Sequence, residues 1–375
     1  MTETLKARKR ARALGLPMPG TPGPLNAITD VPGVLVGSHT LSSHADPSLR
    51  RGDLPVQTGV TAILPRGFAE QPIPVWAGQH TLNGNGEMTG THWIRDAGWF
   101  VGPILLTNSH GVGMAHHGAT RWMLEHYAGP WRDNHLWAMP VVAETYDGVL
   151  NDINGLHVTD DHALAAIRSA ASGPVAEGNT GGGAGMICYE FKGGTGTASR
   201  VLEIDGQRFT VAALVQANHG IRPWLTVLGV PVGVDMMADR IPDRPAELGS
   251  IVCILATDLP MTPGQLDRLA RRATIGIGRG GTPGGNNSGD LFLAFSTANA
   301  GPMPQLSGAA WRQSIALSDE CLDPVYMAAV ESVEESVLNA MFMAQDVPLA
   351  RPPGGICKAI DPEGVLDLLR RAGRL

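Results

Sequence analysis

Cysteine is scarce: Cys188, Cys253, Cys321 and Cys357 are the only four, and no two of them stand in a C-x-x-C pair. That scarcity argues against a zinc or disulfide framework and fits a reducing cytoplasm. No run of about 18 apolar residues occurs, so no membrane span is expected. The basic start leads into Leu14, Gly15, Leu16, Pro17 and Pro19 instead of an apolar stretch, so no export signal is expected either. A net charge of −7 without a long basic stripe argues against nucleic acid as a partner. The cluster Lys6, Arg8, Lys9, Arg10 and Arg12 is the exception, and it reads as a solvated tail. Proline/serine-rich linkers, charge blocks and internal repeats are also missing, which favours a single domain over residues 1–375.

What the chain has in quantity is glycine (48) and proline (28), which without a collagen-like period mark tight turns between many short elements. A hydrophobic share of 43% is ample for a large core. Short apolar runs predict strands at Gly33 to Gly37, Val60 to Leu64, Pro103 to Leu106, Pro140 to Ala143, Gly185 to Tyr189, Phe209 to Val215, Ile251 to Ala256 and Leu291 to Phe295. Several are apolar at every position, as in strands covered on both faces. Helical periodicity predicts Asp161 to Ala171, Thr262 to Ala273 with Thr262 as N-cap, Pro324 to Met343 and Glu363 to Ala372. An α/β fold of layered sheets with helices outside follows.

The polar, proline-rich loop from Asp235 to Leu248, with Arg240, Pro242, Asp243, Arg244 and Pro245, ends at Gly249 and Ser250, and the apolar run from Ile251 begins immediately after it. A serine before a strand is ordinarily a turn residue. Here Gly249, without a Cβ, can adopt backbone angles closed to other residues and leave its carbonyl open to attack by the Ser250 hydroxyl. The resulting ester, once hydrolysed, frees a chain that starts at Ser250. Its α-amine has a reference pKa of roughly 7.7–8.0, so about a tenth is neutral at pH 7 and can serve as general base.

A second loop runs through Gly278, Gly280, Gly281, Gly284, Gly285, Asn286, Asn287, Ser288, Gly289 and Asp290 into the strand at Leu291. Its backbone amides can stabilise an oxyanion, and Ser288 with Asp290, two apart, can face one side and tune the nucleophile. It lacks the G-K-[ST] ending of a phosphate loop. At other strand ends stand Asn218, an amide donor or a plain turn residue; Glu144, able to hold a substrate ammonium; Tyr146, able to polarise a carbonyl; and the loop Asn83 to Gly90, with Asn85 and Glu87, able to line a cleft. The run Gly178 to Gly185 reads as a tight turn or close backbone contact, and His110, His116 and His117 as structural residues without metal-site spacing.

These residues carry a resemblance. The stretch from Gly20 to Gly37 (from Pro22, P-G-P-L-N-A-I-T-D-V-P-G-V-L-V-G), N-G-N-G-E-M-T-G at Asn83 to Gly90, A-E-T-Y-D-G at Ala143 to Gly148, V-Q-A-N-H-G at Val215 to Gly220, E-L-G-S-I at Glu247 to Ile251 and G-G-N-N-S-G-D at Gly284 to Asp290 span almost the whole chain. The sequence resembles the L-aminopeptidase D-esterase and β-peptidyl aminopeptidase family of N-terminal-nucleophile hydrolases. The resemblance implies an αββα sandwich with its own connectivity and self-cleavage between Gly249 and Ser250. The products would be an α chain of 1–249 and a β chain of 250–375 that stay together, commonly as tetramers of the heterodimer. It implies Ser250 as nucleophile, Ser288 and Asp290 as its tuning pair, Asn218 as oxyanion donor, and Tyr146 and Glu144 in contact with substrate. Substrates would be short peptides, amides or esters, with no cofactor or metal; preference for L-, D- or β-residues stays open. The alternatives are a self-processing acyltransferase of the ornithine acetyltransferase type, a metallohydrolase on the three histidines, and a binding protein in which Gly249 and Ser250 form an ordinary turn.

Overall fold

The computed structural model describes residues 8–50, 52–241, 247 and 249–375. Its strands are β1 (Leu35–Ser42), β2 (Gln57–Leu64), β3 (Val75–Gly84), β4 (Trp99–Phe100), β5 (Ile104–Asn108), β6 (Val141–Thr145), β7 (Ile187–Cys188), β8 (Phe191–Lys192), β9 (Gly194–Ile204), β10 (Gln207–Asn218), β11 (Ser250–Thr257) and β12 (Gly289–Ser296), with a small ladder of β13 (Val347–Pro348) and β14 (Ile356–Cys357) near the C-terminus. The helices are α1 (Thr91–Ala97), α2 (Val112–His126), α3 (Ala128–Asp133), α4 (Asp160–Arg168), α5 (Val232–Asp235), α6 (Pro263–Ala270), α7 (Arg272–Arg279), α8 (Asp323–Phe342) and α9 (Pro362–Arg371).

Two sheets form the middle of the molecule, one ordered β1-β2-β5-β6 and the other β4-β3-β12-β11-β10-β9. Alternation along the central strand shows how they stack. In β11, Ile251, Cys253 and Leu255 join a core with α6, α7, α8 and α9, whereas Val252, Ile254 and Ala256 join Ile63, Ile104, Leu106 and Val141 of the other sheet. A third core lies between the outer face of the smaller sheet and α2 and α4. The layers are therefore helix, sheet, sheet, helix, the sandwich that the resemblance implied. Because both faces of β11 and β12 are covered, every residue in them is buried, which explains their unbroken apolar runs.

The predicted helices appear with ends within three residues, with one difference. Thr262 and Gln265 form a reciprocal cap with Pro263 in the first turn, but the run then divides into α6 and α7 and carries the helix on to Arg279. Six strands escaped prediction, four of them two-residue pieces and two of them long. In β9, Gly194, Thr195, Gly196 and Thr197 form no apolar run, because α8 lies so close that a Cβ on Gly196 would stand 2.0 Å from the Ser336 carbonyl oxygen. In β3 apolar and polar residues mix along a half-exposed face. The strand expected over Gly185 to Tyr189 is corrected to the two-residue β7, preceded by a buried 3-10 turn at Gly181–Gly185. Glycine is required there: a Cβ on Gly182 would meet the Gln216 side chain at 2.1 Å and the Leu106 carbonyl at 2.6 Å.

The solvated basic tail is also corrected at Arg8, Arg10 and Arg12; Lys9 is exposed as expected, and Lys6 lies outside the described residues. Arg10 pairs with buried Glu177 at 2.7 Å and donates to the Asn26 and Thr197 carbonyls at 2.7 and 2.6 Å. Arg12 pairs at 3.0 Å with Glu335, which has no exposed side-chain surface, and Arg8 donates to the Ile360 carbonyl at 2.9 Å. Buried carboxylates need counter-charges, and the arginines supply them.

Candidate active site

The sheet topology brings five strand ends together. β11 and β12 are parallel, joined by the crossover through α6 and α7, so Ser250 and Gly289 begin their strands side by side. β10 and β3 run antiparallel to this pair and finish at the same end, which sets Asn218 opposite Ser250 and Asn83 opposite Asp290. β6 of the other sheet ends there too, since the Asn218 side-chain amide donates to the Tyr146 carbonyl at 3.0 Å. Ser250 has the same parity as Val252 and Ile254 and thus belongs to the face between the sheets. It is 3% exposed.

Asn218 proves to be the last residue of its strand instead of following it. Its Oδ1 accepts from the Ile187 amide at 2.8 Å, which fixes the side-chain orientation, and Nδ2 lies 3.5 Å from the Ser250 Oγ. The Gly249 carbonyl, the bond that sequence singled out, accepts from the Gly289 backbone amide at 3.3 Å. Gly249 does not need the left-handed backbone region. What excludes a side chain is close approach, since a Cβ would lie 2.2 Å from the Asn218 carbonyl oxygen. Of the loop before Gly249, residues 242–246 and 248 lie outside the described residues, among them Pro242, Asp243, Arg244 and Pro245.

Ser288 and Asp290 do share one side: the Ser288 hydroxyl donates to the Asp290 Oδ1 at 2.6 Å. The other carboxylate oxygen accepts from Asn83 Nδ2 at 3.1 Å. Burial raises the Asp290 pKa, against the lowering effect of the Ser288 and Asn83 hydrogen bonds.

Glu144 sits at the end of β6, 7% exposed, and makes no direct bond to Ser250. Its Oε1 accepts from the Glu87 amide at 3.0 Å and its Oε2 takes a short hydrogen bond from Ser109. One residue's width separates it from the start of β12, the strand beside that of Ser250: a Cβ on Gly86 would lie 3.2 Å from Glu144 Oε1 and 3.6 Å from the Gly289 Cα. Burial raises the Glu144 pKa, opposed by its bonds to Ser109 and the Glu87 amide. Tyr146 joins the cluster through its carbonyl; its side chain is 42% exposed and the hydroxyl packs back over Gly148. Asn85 fastens the loop between β3 and α1 to the Asn287 carbonyl at 2.6 Å.

Sequence reasoning missed Ser109; it offered the backbone amides of the glycine-rich loop as oxyanion donors without singling out Gly289, and it placed Asn83 in a lining loop without its bond to Asp290. The available signal was polarity just past a strand end, which Ser109 has after Ile104–Asn108. Of the three grouped histidines, His110 meets the Ile153 carbonyl at 3.3 Å and His117 stands 3.9 Å from Asp160, away from one another's partners. Among the described residues no group of three acidic, histidine or cysteine side chains could hold a metal ion.

His219, next to Asn218, is fully enclosed between Cys188 and Tyr189, and burial pushes its pKa down to about 3 from 6.5. The unfolded chain therefore takes up a proton at this residue below about pH 6.5, and the folded chain does not until about pH 3. Stability contributed here falls as pH drops through that window. In thermal melts, His219→Phe is expected to show a shallower acid-side loss of Tm than the wild type.

Known proteins share both the sequence and the fold of this chain. The model of peptidase family S58 matches residues 26–351. The chain is 49% identical over 350 residues to the β-peptidyl aminopeptidase BapA of Sphingosinicella microcystinivorans, covering 89% of this chain and 86% of that protein. Among solved structures it is similar to the L-aminopeptidase D-Ala-esterase/amidase of Ochrobactrum anthropi, with a TM-score of 0.92, 57% identity and 98% and 99% of the two chains covered. That structure is described as a new variant of the N-terminal-nucleophile hydrolase fold, and the sandwich here has that fold. A β-aminopeptidase from Burkholderia sp. matches with a TM-score of 0.89 and 45% identity over 97% and 99% of the chains.

Proposed function

The chain belongs to peptidase family S58, and from that premise we propose that it is a serine aminopeptidase that cuts itself between Gly249 and Ser250 and then releases N-terminal residues from short peptides, amides or esters. One observation carries the reading. The Gly249 carbonyl rests on the Gly289 amide, beside a Ser250 hydroxyl whose neighbour, Asn218 Nδ2, is locked in place from both ends.

In self-cleavage the Ser250 Oγ bonds to the Gly249 carbonyl carbon, the peptide C–N bond breaks, and the amine of Ser250 takes the proton. Water then opens the ester, leaving a Gly249 carboxylate and a free hydroxyl. In turnover that amine accepts the hydroxyl proton as Oγ attacks the substrate carbonyl, then gives it to the departing amine or alcohol; water releases the acyl group. In this reading the Asn218 Nδ2 and the Gly289 amide donate to the oxyanion. Ser288, held by Asp290, which Asn83 orients in turn, tunes the nucleophile. Tyr146, exposed at the surface, contacts substrate. The acetyltransferase alternative finds no support in a match to a peptidase family.

Glu144 holds the substrate ammonium, and this has a pH signature. Its pKa is raised above 4.5, so its charge disappears as pH falls through that raised value. KM is expected to climb on the acid side, over and above the fall in kcat as the Ser250 amine protonates, and Glu144→Gln is expected to flatten that KM limb and lower kcat/KM by about ten- to a hundredfold, the worth of one charge-assisted hydrogen bond. An acid limb unchanged in the variant assigns ammonium binding elsewhere.

Sheet order supports lasting association of the two products, which would act as one domain. β11 and β12 of the β chain lie between β3 and β10 of the α chain, and α8 covers β9 and β10. Trp311 and Ile315, 92% and 72% exposed, offer apolar surface for assembly into a homo-oligomer, a tetramer of heterodimers by resemblance. No helix among the described residues is long and apolar enough to cross a membrane; the thiols of Cys188, Cys253 and Cys321 are unbridged, as a reducing cytoplasmic setting would keep them. Rapid mixing with a chromogenic aminoacyl amide or ester tests the chemistry: a burst of the first product, with the acyl mass on the β-chain peptide that begins at Ser250, is expected. A steady linear release with no adduct under quench would refute the acyl-enzyme.

A further inference from the structure

The arm that ends at Gly249 is gripped by side chains that the chemistry above does not use. Arg222, 1% exposed, donates through Nη1 to the carbonyls of Met236 (2.7 Å) and Ala238 (2.9 Å), where that arm begins. Its Nη2 and Nε donate to the carbonyls of Glu190 (2.8 Å) and Tyr189 (3.2 Å), and its guanidinium lies 3.4 Å above the Phe191 ring. Tyr189 and Glu190 form the tip of the β7–β8 hairpin, both at positive φ (50° and 60°), a conformation that non-glycine residues keep only when neighbours hold them. The Glu190 side chain, 2% exposed, receives Nε and Nη2 of Arg240 at 2.6 and 2.8 Å in a two-pronged pair. Nearer the cut, Glu247 accepts from the Gly220 amide at 2.5 Å.

All of these anchors sit on the hairpin or on the turn that follows β10. The same hairpin fixes Asn218 through the Ile187 amide. One unit thus holds both the donor beside Ser250 and the arm that delivers the scissile carbonyl. An added peptide brings its own carbonyl and needs no such arm.

We propose that Glu190 and Arg240, gathered by Arg222, are positioning residues for self-cleavage: they hold the arm so that the Gly249 carbonyl meets the Ser250 hydroxyl, and they are dispensable for turnover once the chain is cut. The inference rests on the self-cleaving reading above. Intramolecular attack depends steeply on alignment, and displacement of the reacting carbonyl by about 1 Å can cost up to a hundredfold in rate.

The test is a pulse-chase of the full-length chain in a cell-free translation system, following conversion of precursor to two chains, together with kcat/KM of the processed fraction. Arg240→Ala is expected to lengthen the conversion half-time roughly tenfold to a hundredfold, Arg240→Lys to recover part of that loss, and both processed enzymes to keep the wild-type kcat and KM. Glu190→Gln is expected to behave as Arg240→Ala. Should it not fold, Arg240, whose side chain is 35% exposed, carries the test alone. Conversion of Arg240→Ala at the wild-type rate, or a kcat that falls in step with conversion, overturns the clamp. Wild type and Ser250→Ala run alongside: no conversion of wild type would sink self-cleavage itself, whereas normal wild-type conversion with an unaffected Arg240→Ala sinks only the clamp.

Discussion

Ser250→Ala is expected to accumulate as a single chain of 375 residues with no aminopeptidase activity, while the wild type yields chains of 249 and 126 residues (375 − 249 = 126). The effect is total because one hydroxyl serves twice, first on the Gly249 carbonyl and then on substrate. The fold should survive the change. Ser250 opens β11, whose register with β10 and β12 is held by backbone pairs that a methyl group leaves intact. Intact-mass measurement and a thermal melt on the same sample separate loss of chemistry from loss of structure. Ser250→Cys is the informative companion, because a thiol can attack the same carbonyl and should give partial cleavage. A two-chain product from Ser250→Ala would show that another group makes the cut.

Asn218→Ala is expected to lower kcat by about 10²–10³ with little change in KM, since an oxyanion donor acts on the transition state and not on the bound substrate. It should also slow self-cleavage, because the same Nδ2 lies beside Ser250 in the uncut chain. Part of the cost is structural. Truncation orphans the Ile187 amide and the Tyr146 carbonyl, and an unsatisfied buried polar group costs about 1–3 kcal/mol. Asn218→Asp separates the two effects: it keeps an acceptor for the Ile187 amide and removes the donor. Steady-state kinetics on both variants should show the kcat loss in each, with the stability loss differing between them. Wild-type kcat in Asn218→Asp would remove Asn218 from the oxyanion site.

Much of this site was legible because its residues lie at the ends of apolar runs. Ile251 to Ala256 and Leu291 to Phe295 are buried on both faces, so their limits stand out in the sequence, and Ser250, Ser288 and Asp290 follow from those limits. Asn218, Glu144 and Tyr146 could be named for the same reason. Their meeting could not be read there, since it depends on β10 and β11 pairing antiparallel while β11 and β12 pair parallel. Ser109 stayed hidden because its worth lies in a contact across 35 residues to Glu144. β9 stayed hidden because the strand takes small residues to admit α8, which erases the apolar pattern. Arg10 and Arg12 misled in the opposite sense: a run of positive charge looks like solvent-facing chain until Glu177 and Glu335, more than 160 residues away, are seen to bury their carboxylates against it.

The account turns on one bond, and N-terminal sequencing with intact-mass analysis of the active wild-type protein tests it most directly. Two chains are expected, the shorter one beginning Ser-Ile-Val-Cys at residue 250. Full aminopeptidase activity in a preparation made only of the unbroken chain, with the nitrogen of Ser250 still in its peptide bond, would leave the nucleophile without its base and contradict the account.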